Sequence, residues 1–398
     1  MVRFALVHDW FDGIAGSEKV VRQMLHCFPD SDVFSLVDNL SSGERESLGI
    51  SSIKTSFIQN LPFAKKRFRN YLPLMPFAIE QFDLSSYDVI LSSSHAVAKG
   101  VCTNCDQLHI SYVHTPIRYA WDMYHEYLDQ RNLTHGPKSL LVKASLHYIR
   151  NWDRGTADRP DVYIANSHYV ADRIRKTYGR EAKVIYPPVD VHRLSANHRK
   201  ESFFLAAGRL VPYKRFDLLI DAFSKLPDQR LVIIGDGPEF KKLKAKAPAN
   251  VELLGFQNDE ILFDYMQRAR AFIFGAVEDF GIMPVEAQAC GTPVIGMRRG
   301  GVGETVVDGE TGLLFDEQSP DCVAEAVRTF CEIPEGLFDV DHIRSNAERF
   351  SVERFRQQFS NLVSTEVKKR IEPTSSDRSS NFPVADTNHL SEASLIHG

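Results

Sequence analysis

Glu278 and Glu286 stand eight residues apart in EDFGIMPVE (residues 278–286), with an apolar, glycine-containing turn between them. An apolar run, residues 271–274, precedes this stretch, and PVEAQACG (284–291) carries it on. Proline suits the first turn of a helix, and glycine suits the position just past its end. The spacing therefore predicts strand, loop and short helix. Amides of Phe280, Gly281, Ile282 and Met283 would lie at the positive end of that helix, an arrangement that suits a phosphate. Carboxylates beside such a turn can accept hydrogen bonds from sugar hydroxyls while the amides hold a diphosphate. The same residues also suit an ordinary strand-to-helix connection, with Glu286 capping or solvated.

A second cluster follows another strand-like run, residues 202–207: GRLVPYKR, from Gly208 to Arg215. Glycine at a strand's end lets a ligand approach the backbone. Arg209 and Lys214 could then neutralise a diphosphate without a metal, together with the charge it gains on leaving. Alternatively they are solvated surface cations. Loops after successive strands of a parallel sheet converge on one edge, which would bring these cations to Glu278.

Such loops need a frame. Strand-like runs at 4–7, 33–37, 88–92, 109–113, 161–165 and 183–186 alternate with helix-like stretches. The second half repeats the habit at 202–207, 230–234, 251–254, 271–274, 293–296 and 312–315. Alternation of this kind predicts parallel sheets built from βαβ units. YPPV (186–189) joins the two series, and paired prolines interrupt regular structure there. The expectation is α/β, with two Rossmann-like domains at 1–187 and 188–350. Apolar residues at 352, 355, 359, 362 and 363 mark a helical stripe in 351–371. Residues 372–398, rich in Ser, Asn, Asp and Thr, read as a disordered tail.

The chain has 398 residues, 43% hydrophobic and 25% charged, with a formal net charge of −5 that gives no reason to expect nucleic acid as a partner. No run approaches the roughly 18 apolar residues of a membrane-spanning helix. Six scattered cysteines fit a reducing cytoplasm. Cys102 and Cys105 form a lone CxxC with His109 and His114 downstream, short of a zinc ligand set. DGIAGSE (12–18) opens a helix after the first strand, and Gly16 would let a ligand near its N-terminus. It is not the GxGxxG fingerprint of nicotinamide cofactors. His114 ends the run 109–113, where it can reach a cleft. LPFAKKRFRNYLPLMPF (61–77) mixes cations with aromatic residues and suits either an anionic lipid surface or a basic helix packed on one face.

Taken together, EDFGIMPVE, GRLVPYKR and GGVGETVVDGETGLLF (300–315) resemble glycosyltransferase family 4, over roughly residues 1–360. LSSSHAVAKGV (91–101) and SYVHTPIRYAWD (111–122) are similar to the mannosyltransferases of bacterial O-antigen and exopolysaccharide assembly. The resemblance implies a GT-B fold, two Rossmann-like domains facing a central cleft, with a C-terminal helix, here 351–371, crossing back onto the first domain. It implies a retaining hexosyltransferase that takes mannose from GDP-mannose, with no cofactor and no metal. The acceptor would be a saccharide or a polyprenyl-linked saccharide, at the cytoplasmic face of the inner membrane. Catalytic roles would fall to Arg209 and Lys214 on the diphosphate, Glu278 on the transferred sugar and His114 beside it. Gly16, Gly208, Phe280, Gly281, Ile282 and Met283 would approach the nucleotide sugar, Glu286 its ribose and Phe256 its base. Arg118, Trp121 and Asp122 would shape the acceptor side. Ala15 and Gly16 stand where many members carry two glycines. A sugar-nucleotide epimerase and a non-catalytic binding subunit of the same fold are the alternatives.

Overall fold

Apolar, β-branched runs too short for helices pair into two all-parallel sheets in this computed structural model, which describes residues 2–334 and 336–371. The first sheet comprises β1 (Phe4–His8), β2 (Asp32–Ser35), β3 (Ile53–Thr55), β4 (Val89–Ser94), β5 (Leu108–Val113), β6 (Val162–Ala165) and β7 (Ala182–Val184). Its spatial order is β3-β2-β1-β4-β5-β6-β7. The second comprises β8 (Phe203–Ala207), β9 (Arg230–Ile234), β10 (Val251–Gly255), β11 (Ala271–Phe274), β12 (Val294–Met297) and β13 (Gly312–Phe315), in the order β10-β9-β8-β11-β12-β13. Central strands such as β4 and β5 are buried along their whole length, as parallel strands covered by helices on both faces must be. The sequence predicts all of these strands except β3, a three-residue edge with Lys54 and Thr55 exposed and no apolar run to announce it.

In both sheets the strand order reverses once, between β1 and β4 and between β8 and β11. Loops leaving strand ends at such a reversal diverge and open a crevice. Residues 9–15, 95–98, 208–215 and 275–281 all leave strands at these points. The helix Val352–Ile371 returns to the first sheet, where Phe355, Phe359 and Val363 are buried in one apolar cluster with Leu25 and Ile110. Each such side chain contributes on the order of 2 kcal/mol. The tail expected to be disordered, 372–398, lies outside the described residues. No described helix is long and apolar enough to cross a membrane.

Candidate functional site

The loops at the two reversals face each other across a cleft of about 450 Å³. Gly16, His95 and His114 line it from the first sheet, and Lys214, Glu278 and the run Phe280–Gly281–Ile282–Met283 line it from the second.

On the second sheet's side, the Pro212–Lys214 turn ends the loop from β8, and the Lys214 ammonium contacts the Glu278 carboxylate directly. Both side chains are only 16% exposed. The two motifs separated by some sixty residues in sequence thus meet, as loops on one sheet edge should. The helix Ile282–Ala289 begins at Gly281, whose φ of 85° is left-handed and favours glycine. First-turn amides of a helix have no partner within it, so those of Ile282 and Met283 are available at the cleft. The GDGPE turn (235–239) serves as a brace. Gly235 lies so close to Gly208 that a Cβ there would sit 1.9 Å from its carbonyl oxygen. Leu210 N–H donates to the Asp236 carbonyl at 2.9 Å.

On the first sheet's side, buried Asp9 accepts from the amides of His95, Ala96, Val97 and Ala98 at 2.6–2.9 Å and fixes the loop after β4. His114 Nε2 shares a 2.8 Å hydrogen bond with Ser93 Oγ. Desolvation, reinforced by neighbouring His95 and His8, holds the His114 ring well below the ordinary imidazole range. It therefore faces the cleft uncharged. Burial alone would raise Glu18, but the bond and charge of His8 and the amide of Ala15 bring it down to about 2.

These groups set an acid sensitivity. His109 is fully buried against Ser92, and burial with the nearby Lys99 cation pushes it down to about 3. His95 and His114 shift in the same direction. An unfolded chain protonates these rings near pH 6.5, whereas the folded chain does not, so stability is lost as pH falls below that value. The depressed Glu18 adds a loss below its unfolded range. Asp279 and Glu286, raised by burial, act in the opposite sense. The thermal midpoint should fall between pH 7 and pH 5, with buried His109 alone contributing on the order of 1 kcal/mol per pH unit below about 6.5. A midpoint that stayed constant or rose would contradict this.

Some expected residues stand elsewhere. Arg209 is exposed, outside the residues lining the cleft, and forms no ion pair among the described residues. Phe256 is 77% exposed at the end of β10, also away from the cleft lining. Gly208 packs beside Met283 beneath the lining. Glu286 sits behind the helix's first turn, 3.9 Å from Lys19 of the facing helix Gly16–Cys27. Gly16 approaches so closely that a Cβ there would lie 3.2 Å from Ile282 Cδ1. Arg118 lines the cleft, while Trp121 bonds buried Asp153 at 2.8 Å. Several lining residues have no role assigned from the sequence, His95, Asn166, Tyr213 and Asp279 among them. Asp279 pairs with Arg118 and Arg173 and, with burial the larger influence, sits above the usual carboxylate range. Only its place beside Glu278 could have drawn notice to it. Cys102 and Cys105 are exposed and free, and no group of three or more described His, Cys, Asp or Glu residues could hold a metal ion.

Comparison with known proteins bears on this geometry. The family model for glycosyltransferase family 4 matches residues 14–193, and that for glycosyl transferases group 1 matches residues 191–349. An uncharacterized glycosyltransferase of Methanocaldococcus jannaschii is 32% identical over 198 residues, 48% of this chain and 56% of that protein. A GDP-mannose-dependent alpha-(1-6)-phosphatidylinositol monomannoside mannosyltransferase of Mycolicibacterium smegmatis is 32% identical over 201 residues, 42% of this chain and 52% of that protein. The chain thus spans about half the length of these curated relatives. Among solved structures, Anabaena HepE in complex with UDP and glucose superposes with a TM-score of 0.64 at 21% identity, covering 92% of this chain and all of that one. Two reversed parallel sheets facing one cleft, and two family matches that together run without a break from residue 14 to 349, lead to one assignment. The chain belongs to glycosyltransferase family 4 and has the GT-B fold.

Proposed function

We propose that the protein is a retaining hexosyltransferase that carries mannose from GDP-mannose to a saccharide or polyprenyl-linked saccharide in cell-surface polysaccharide assembly. The observation that supports this most is the contact of Lys214 with Glu278 beside the open amides of the Ile282–Ala289 helix. Lys214, with exposed Arg209 on the same loop turning in once the donor is bound, would hold the diphosphate and the charge it gains on leaving. Amides of Phe280 to Met283 would share that charge. Glu278 would accept hydroxyls of the transferred sugar, and Glu286 those of the ribose. Uncharged His114 would bond the sugar without adding charge. Phe256 would reach the base from the rim. The bond from the anomeric carbon to the phosphate oxygen breaks on the face where the acceptor oxygen bonds. The departing phosphate oxygen takes the acceptor's proton, so no separate protein base is required.

The donor rests on the resemblance of residues 91–101 and 111–122 and on the printed activity of the mycobacterial relative. A thermal-shift panel of GDP, UDP and ADP sugars tests it, because a ligand that binds only the folded state raises its midpoint. GDP-mannose should give the largest rise. A larger rise with a UDP or ADP sugar would reject the mannosyl donor.

Segment 61–77 supports a peripheral membrane contact. Lys65, Lys66 and Arg67 are exposed and form no ion pair among the described residues. Phe63, Phe77 and Leu74 are exposed beside them. Leu72 packs in one cluster with Leu146 of the helix Pro137–Gly155, which adds exposed Leu140 and Leu141 to the same domain. Six free cysteines fit the cytoplasmic face. Co-sedimentation with vesicles of phosphatidylcholine and phosphatidylglycerol should exceed that with phosphatidylcholine alone. Replacing Lys65, Lys66 and Arg67 with glutamine should weaken it by about 10²-fold, at about 1 kcal/mol per cation. Equal retention on both vesicles would remove the membrane contact.

A further inference from the structure

The motif GGVGE (300–304) has no part in the chemistry above, yet it packs tightly against the backbone of the Glu278 loop. A Cβ on Gly300 would lie 2.6 Å from the Glu278 carbonyl oxygen, and one on Gly301 would lie 2.3 Å from Phe280 Cα. Gly301 N–H donates to the Glu278 carbonyl at 2.9 Å. The backbone carrying Glu304 and the backbone carrying Glu278 therefore move as one body.

Both backbones end on a single element of the facing domain, the helix His168–Tyr178. Glu304 places one oxygen on the His168 amide and the other on the Tyr169 amide, each at 2.8 Å. These are first-turn donors that no carbonyl of their own helix can satisfy, at the end where the helix dipole favours an anion. Tyr186 adds its hydroxyl to Glu304 at 3.2 Å. One residue before that helix, Ser167 Oγ donates to the Asp279 carbonyl at 2.6 Å. Within the helix, Arg173 holds the Asp279 carboxylate and also contacts Thr115 Oγ1 and Asp122. Arg118 reaches the second Asp279 oxygen at 3.5 Å, with its guanidinium 5.6 Å from the centre of the Tyr213 ring.

We infer that Asp279 and Glu304 are positioning residues, a two-point clasp on the His168–Tyr178 helix that holds the cleft closed and sets Glu278 opposite His114. Neither needs to touch substrate. Asp279 follows Glu278 directly in the chain, so the arginines that fix one fix the backbone of the other. The Glu304 carboxylate meets the helix end only when the two domains are together. Opening the cleft separates Asp279 from Arg173, which keeps Asp122 and Thr115, exposes the two amides to water, and leaves Glu278 and Lys214 on the second domain unaltered. The clasp should therefore govern turnover more than nucleotide affinity. This inference rests on the proposed transferase activity for its kinetic readout and is independent of it for its structural one.

Glu304→Gln and Asp279→Asn keep size and remove charge, and each is compared with the wild type in three measurements. Turnover with the donor at saturation should fall by about tenfold or more, since a misplacement of about 1 Å can cost 10²-fold. Affinity for free GDP or UDP, by calorimetry, should stay within about threefold, because the diphosphate contacts lie within the second domain. The radius of gyration from small-angle scattering should rise in the variants, and the Arg173→Gln variant should match them. Were Glu304→Gln to misfold, Asp279→Asn and Arg173→Gln would carry the test. An unchanged radius with unchanged turnover, or nucleotide affinity lost in step with turnover, would overturn the clasp. A wild type that binds no nucleotide yet opens on substitution would sink the transferase reading and leave the clasp standing.

Discussion

Replacing Lys214 with alanine should lower kcat/KM by about 10²-fold or more, because one preorganised charge contact on a developing anion is worth about 3 kcal/mol. The side chain is 16% exposed and pinned against Glu278, so it acts in a partly dry setting where charge is weakly screened. Affinity for the free nucleoside diphosphate should fall as well, since the ammonium is placed to face phosphate oxygens before and after transfer. The Lys214→Arg variant keeps the charge but not the compact shape, and should recover only part of the loss. Near-wild-type turnover in Lys214→Ala, measured under donor-limited conditions, would reject the assignment of this residue.

Glu278→Gln should separate sugar from phosphate. A hydrogen bond to a charged acceptor contributes about 1.5–3 kcal/mol, so kcat/KM with the sugar donor should drop by about 10- to 10²-fold. Free nucleoside diphosphate, which lacks the sugar, should bind within about threefold of the wild type or more tightly. The reason is the ion pair itself: in this structure Glu278 occupies the Lys214 ammonium, and a diphosphate must compete for it. Weakening the competitor helps the phosphate while it harms the sugar. Equal losses for donor and free diphosphate would contradict the division of roles.

Much of this is legible in the sequence. The strands around the site announce themselves by largely apolar runs, because parallel strands covered on both faces bury most of their side chains, and the few polar ones, such as Ser92 and His109, pair with each other. Glu278, Lys214 and Gly281 are local signals at strand ends, and the sheet topology brings them together. The three-residue β3 gave no such signal. Asp279, Arg173 and Glu304 were invisible for another reason. Their partners come from the opposite domain, up to 136 residues away, so no periodicity along the chain relates them. Arg209 shows the converse limit: its motif places it on the right loop, but nothing along the chain fixes which way a loop side chain turns, and this one is exposed outside the cleft lining. Phe256 illustrates the same point for an aromatic residue at a strand end.

The most direct measurement is a crystal structure of the protein soaked with GDP-mannose. The account predicts a diphosphate within hydrogen-bonding distance of the Lys214 ammonium and the Ile282 and Met283 amides, with sugar hydroxyls on Glu278. A nucleotide lodged elsewhere, with the contact between Lys214 and Glu278 undisturbed, would contradict it.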